Sequence, residues 1–151
     1  MKFVDVKEVF AEIPDEITLA ISISGCPIRC KGCHSQYLWA DAGEELTTEV
    51  LSTLLERHLG VSCLCFMGGD QDPRGINELA HWVRTHSKVK VAWYSGRDEL
   101  NEAIALENFD YVKLGPWDES RGPLNKPTTN QVFYRVVNGA LENITSRFWK
   151  L

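Results

Sequence analysis

The sequence predicts one α/β domain, a partial (open) β/α barrel with a mainly parallel sheet. Three observations lead there. A strand–loop–helix unit recurs from Thr18 to Leu114, the pattern of parallel strands joined by right-handed crossovers. The chain has 151 residues, whereas a closed eight-fold barrel takes roughly 250. Finally, the stretches Cys26 to Cys33, Gly68 to Asp70, Ser95-Gly96 and Gly115 to Trp117 each follow a predicted strand directly. A parallel sheet gathers such loops on one edge, at the carboxyl ends of its strands, where sheets of this kind take their ligands.

Taken in order, Lys2 to Ile13 carries Val4 and Val6 on a short period and meets a turn at Pro14-Asp15, so it reads as a strand. A second strand spans Ile17 to Ser24. The cysteine loop follows, to about Gly43. Thr47 or Thr48 then caps a helix with Val50, Leu51, Leu54, Leu55 and Leu59 on one face, ended by Gly60. Val61 to Phe66 is a compact apolar run suited to a buried parallel strand. Ile76, Leu79, Ala80 and Val83 repeat at helical spacing, and Val89 to Tyr94 is the next strand. A helix is predicted from about Asp98 to Glu107, with Leu100, Ala103 and Ile104 facing inward. Tyr111 to Leu114 is another strand. From about residue 116 the chain becomes a turn-rich loop and then a hairpin, Val132 to Val137 returning through Asn138-Gly139 to Leu141 to Thr145. No repeat or composition shift divides residues 1–151, which read as one domain.

Composition narrows the function. With 44% hydrophobic and 25% charged residues the chain can bury a core. Its net charge of -5 and lack of a Lys/Arg cluster argue against nucleic acid as a partner. The first residues alternate charged with apolar groups, unlike a secretory signal, and no apolar stretch is long enough for a membrane span. The expected location is the cytoplasm.

The chemistry concentrates in Cys26-Pro-Ile-Arg-Cys30-Lys-Gly-Cys33-His34, three thiols at CxxxCxxC spacing directly after a strand. Thiolates on one short loop can converge on one face of an iron–sulfur cluster, with Gly25, Pro27 and Gly32 helping the backbone turn. Three cannot complete a four-thiolate set, so one iron is left open to a substrate. The bland alternative is a structural zinc site that adds His34 or another cysteine. Zinc knots bring their ligands in two separated pairs, but no second CxxC pair exists here, and His34 directly follows Cys33. Five cysteines, three of them within eight residues, suit metal ligation in a reducing compartment better than a disulfide framework. Cys63 and Cys65 alternate on a buried strand and read as core residues.

This cysteine spacing resembles the signature of radical S-adenosylmethionine enzymes. Phe66-Met-Gly68-Gly69-Asp70 resembles their Gly-Gly-Glu motif, with Asp in place of Glu. There, glycines let backbone approach the ligand and a carboxylate accepts from the methionine ammonium. Within the superfamily, Gly25 to His34 with Trp39 is similar to the cluster loop of the activating enzymes of anaerobic ribonucleoside-triphosphate reductase. Gly32 stands where many relatives carry an aromatic residue, as it does in that family. Arg121-Gly122 and Asn130-Gln131 resemble its C-terminal pieces, with a longer insert between them. The likeness covers about Ile21 to Gln131.

The resemblance implies a barrel of the radical S-adenosylmethionine type and an oxidoreductase. Cys26, Cys30 and Cys33 would ligate a 4Fe–4S cluster; Gly32, His34, Gly68, Gly69, Asp70 and Ser95 would contact S-adenosylmethionine. It also implies anaerobic ribonucleoside-triphosphate reductase as protein substrate, an electron donor such as flavodoxin, and no nucleic acid or membrane. Pyruvate formate-lyase or another glycyl-radical enzyme is the alternative partner. Ser95 reads equally as a helix cap, and Tyr37 and Trp39 either shield the cluster or pack the loop. Lys113 reads as a surface residue on an edge strand, with a place near a ligand carboxylate as the alternative.

Overall fold

Near-continuous apolar runs become the inner strands of one sheet, and the alternating segments become its flanks. A computed structural model describes residues 1–26, 28 and 42–149. It contains strands β1 (Lys2–Val9), β2 (Thr18–Ile23), β3 (Glu44–Glu45), β4 (Cys63–Met67), β5 (Lys90–Tyr94), β6 (Tyr111–Leu114), β7 (Val132–Val137) and β8 (Ala140–Asn143), with helices α1 (Thr48–Arg57) and α2 (Pro73–His86). Their order across the sheet is β3-β1-β2-β4-β5-β6-β7-β8. The pairs β2–β4, β4–β5 and β5–β6 are parallel. The pairs β1–β2, β1–β3, β6–β7 and β7–β8 are antiparallel.

This corrects the expected partial β/α barrel with a mainly parallel sheet. The sheet is mixed: four parallel strands lie at its centre, with antiparallel strands on both sides and only two α-helices among the described residues. One reason is local. The helix expected from Asp98 to Glu107 is replaced by turns and a short 3-10 segment at Leu106–Asn108. The Asn101 side chain accepts from the Ala103 N–H at 2.9 Å, and Asn77 of α2 accepts from the Ala105 N–H at 2.8 Å. Side chains thus take amide protons that a helix needs for its own ladder.

The two helices that do form are well signalled. Thr47 accepts from the Val50 N–H, and Asp72 accepts from the Gly75 N–H with Pro73 opening the first turn. Both pack on one face of the sheet. Leu51, Ile76, Leu79, Ala80 and Val83 meet Leu19, Ile21, Ile23, Leu64, Phe66, Val91, Trp93, Val112 and Leu114 there. The alternate strand residues Cys63, Cys65, Ala92, Tyr111 and Phe133 turn to the other face. Neither α1 nor α2 covers that side. Ile13, Leu124, Ile144 and Phe148, from three distant segments, bury it instead. No described helix is long and apolar enough to cross a membrane.

Candidate functional site

Because β2, β4, β5 and β6 run parallel, the segments that follow them leave the sheet at one edge. Hydrogen bonds tie these segments to one another. The Gly68 N–H donates to the Tyr94 carbonyl at 3.0 Å, the Ser95 N–H to Lys113 at 2.9 Å, and the Gly115 N–H to Arg97 at 2.6 Å. Of the four loops expected to gather there, those after β4, β5 and β6 are joined by these bonds.

The cysteine loop is closed at its base. Ser24 Oγ lies 2.5 Å from the Ala42 carbonyl and accepts from the Ala42 N–H at 3.3 Å. Gln71 Nε2, from the segment after β4, donates to the Ser24 carbonyl at 2.7 Å. Ser24 and Ala42 thus meet at one point on the carboxyl edge. Cys26 is partly exposed there and has no disulfide partner among the described residues. Cys30, Cys33, Gly32 and His34 lie outside the described residues, as do Tyr37 and Trp39. The described residues hold no group of three His, Cys, Asp or Glu side chains able to bind a metal.

Cys63 and Cys65 are fully buried in the core on the face away from α1 and α2. Burial pushes both thiols far up from their ordinary range, with the neighbouring Glu16 adding to the effect on Cys63 and the Cys63 sulfur to that on Cys65. A thiol held protonated inside a core is a poor metal ligand, since ligation needs the thiolate.

The diglycine turn has the backbone that its sequence suggests. Gly68 and Gly69 take φ of +106° and +92°, a region that disfavours side chains. Trp93 Nε1 holds the turn by donating to the Gly68 carbonyl at 2.7 Å. Trp93→Phe, which keeps most of the packing and leaves that carbonyl short of its donor, is expected to lower stability by about 1–2 kcal/mol. A thermal midpoint unchanged from wild type would exclude this anchoring role.

Asp70 is 5% exposed and Ser95 is 1% exposed. Ser95 Oγ donates to Asp70 Oδ1 at 2.5 Å, and the Gly96 N–H donates to Oδ2 at 2.8 Å. The Ser95 hydroxyl also accepts from the Arg97 N–H at 3.1 Å. Its donor thus serves Asp70, and the two carboxylate oxygens keep further lone pairs for a ligand. Gly96 meets the cysteine loop as well: a methyl group built on it would stand 2.9 Å from Ile28 Cγ1 and 3.5 Å from Asp70 Oδ2.

Lys113 is the residue whose surface reading the structure overturns. It lies on β6, between β5 and β7, and is 7% exposed. Its ammonium donates to the Ser95 carbonyl at 2.8 Å and the Gly115 carbonyl at 3.0 Å, and stands 5.4 Å from the Tyr94 ring centre. The register explains its place. Ser22, Met67, Tyr94 and Lys113 are successive partners across the sheet, one row from the carboxyl edge. Lys113, Ser95 and Asp70 consequently join the loops after β6, β5 and β4 in one polar network. The sequence signal was the hairpin itself, whose first strand covers the outer side of β6.

Beside the fourth loop is an open cavity of about 480 Å³ lined by Pro116, Trp117, Asp118, Glu119, Ser120 and Asn130. Hydrogen bonds from the Ser120 hydroxyl and amide hold the Asp118 carboxyl below its ordinary range.

Comparison with known proteins gives one assignment. A family described as the 4Fe-4S single cluster domain matches residues 17–131, from the start of β2 to the approach to β7. No curated protein and no solved structure matches the chain.

Proposed function

This chain belongs to the 4Fe-4S single cluster domain family, and from that premise we propose that it is a radical S-adenosylmethionine enzyme that activates anaerobic ribonucleoside-triphosphate reductase. The observation that carries the reading is the position of Cys26: it leaves β2 on the edge where Asp70 is held by Ser95 and Gly96.

The donor set fits the cluster. Of the five cysteines in the sequence, Cys63 and Cys65 are sealed in the core. Cys26, Cys30 and Cys33 remain, one short of a four-thiolate set. In this reading they would hold a 4Fe–4S cluster and leave one iron without a protein thiolate, open to S-adenosylmethionine. When bound and reduced, such a cluster would supply the one electron that splits the sulfonium of S-adenosylmethionine, the chemistry by which a hydrogen atom would be removed from a glycine α-carbon of the reductase.

The protein's own groups bind and orient. Asp70 would accept from an N–H of the methionine amino group, a hydrogen bond strengthened by the charge of the carboxylate. Ser95 and the Gly96 N–H aim its two oxygens, and Lys113 ties the Ser95 loop to the Gly115 loop. Gly68 and Gly69 bring backbone close to the ligand without side chains in the way. Gly32 and His34 flank the third thiolate in sequence. An electron donor of the flavodoxin kind supplies the reducing equivalent, and the reductase presents its glycine at the carboxyl edge.

The test is anaerobic purification followed by metal and sulfide analysis, then incubation with a reductant and S-adenosylmethionine. The expected result is a brown, oxygen-labile protein that releases 5′-deoxyadenosine and methionine, and that raises a glycyl-radical spin-resonance signal on the reductase. A colourless protein carrying zinc would overturn the enzyme reading. A signal on pyruvate formate-lyase alone would move the partner and leave the chemistry.

A further inference from the structure

We propose that Gly96 is a positioning residue, whose missing side chain lets Ile28 of the cysteine loop seat against the turn that holds Asp70, and so sets the spacing between the cluster thiolates and that carboxylate. The inference rests on the S-adenosylmethionine reading and adds to it the contact through which the two halves of the ligand site are held in register.

Ile28 is the middle residue of the three between Cys26 and Cys30. A side chain on Gly96 would bring its first carbon to 2.9 Å from Ile28 Cγ1 and 3.4 Å from Ile28 Cβ. Apolar carbons pack at about 3.5–4.0 Å, so that 2.9 Å contact requires a shift of roughly 0.6–1.1 Å. The opposite wall cannot easily give way. Gly96 is held through its N–H to Asp70, and Ser95 through its hydroxyl to Asp70 and its carbonyl to Lys113. Ser95 is also bonded to Lys113 through its N–H. The burden of the shift therefore falls on Ile28. The backbone of Gly96 is outside the positive-φ region, so alanine is conformationally tolerated and the effect is one of space.

A ligand that must reach an iron and Asp70 at once is sensitive to that spacing, and displacements near 1 Å are known to be felt strongly at active sites. The experiment uses the cluster-loaded chain with S-adenosylmethionine itself as the probe, and reads binding affinity, iron content and thermal midpoint. Gly96→Ala is expected to load iron normally and bind S-adenosylmethionine about tenfold more weakly. The double variant Gly96→Ala/Ile28→Ala, with room for the added methyl, is expected to recover at least about threefold of that loss, a departure from additivity that a simple loss of stability does not produce.

Wild-type affinity in Gly96→Ala overturns the inference. So does a double variant no better than Gly96→Ala, or a Gly96→Ala protein that fails to load iron, which would make the contact a support of the cysteine loop. Wild-type protein that holds its cluster and does not bind S-adenosylmethionine overturns the parent reading, and is seen before any variant is made.

Discussion

Cys26→Ala, purified without oxygen, is expected to be colourless with background iron, while Cys63→Ala and Cys65→Ala stay brown and carry a full cluster. The contrast follows from where the sulfurs lie. Cys26 is partly exposed at the mouth of a loop whose two ends meet at Ser24. Cys63 and Cys65 are fully buried among Ile13, Tyr111, Leu124 and Phe133. Losing a thiolate from a set of three leaves two ligands on a short loop, too few to retain a cubane against exchange with solvent. Losing a core thiol removes one small packing group, at about 1 kcal/mol. Cys30→Ala and Cys33→Ala belong with Cys26→Ala. Iron and sulfide per chain, read beside thermal midpoints, separate the two classes. A Cys26→Ala protein with its full complement of iron would remove this residue from the cluster and, with it, the argument that one iron stays open.

The parts of the structure that were legible in the sequence are those decided locally. Thr47 caps α1, the apolar faces of α1 and α2 repeat at the right interval, and the run Cys63 to Met67 is apolar on both faces because helices cover one and distant segments the other. The segment after β5 shows where local reading fails. Leu100, Ala103 and Ile104 have helical spacing, yet Asn101 and Asn77 claim the amides that a helix would use.

Lys113 fails for a different reason. Its burial depends on β7 pairing outside β6, a contact between residues about twenty positions apart that no period in Tyr111 to Leu114 announces. β3 has two residues and no pattern at all; its place follows from the return of the cysteine loop at Ala42, after which Glu44 meets Phe3. The mixed sheet, and with it the loss of the expected barrel, is the sum of such long-range pairings. The correction leaves β2, β4, β5 and β6 running in one direction, which is what the proposed site requires of the sheet.

Asp70→Asn is expected to leave the cluster in place and weaken S-adenosylmethionine binding on the order of 10- to 100-fold. The estimate comes from a charge-assisted hydrogen bond, worth about 1.5–3 kcal/mol, at 1.4 kcal/mol per factor of ten. The substitution is nearly isosteric, so the backbone can remain where it is. What changes is the pattern of donors. Asp70 accepts from the Ser95 hydroxyl and from the Gly96 N–H. An amide keeps only one acceptor oxygen. With that oxygen on Gly96, the new NH₂ faces Ser95, whose hydroxyl must then accept and send its own proton elsewhere. The turn persists under mild strain, and the negative charge that faces the methionine amino group is gone. Ser95→Ala gives the complementary case: the charge stays and its aim loosens, so its loss of affinity should be smaller than that of Asp70→Asn. Calorimetric titration of S-adenosylmethionine into the cluster-loaded proteins ranks the two. Equal affinity for wild type and Asp70→Asn, with iron intact in both, would take Asp70 out of the ligand site and leave it only the task of joining the loops after β4 and β5.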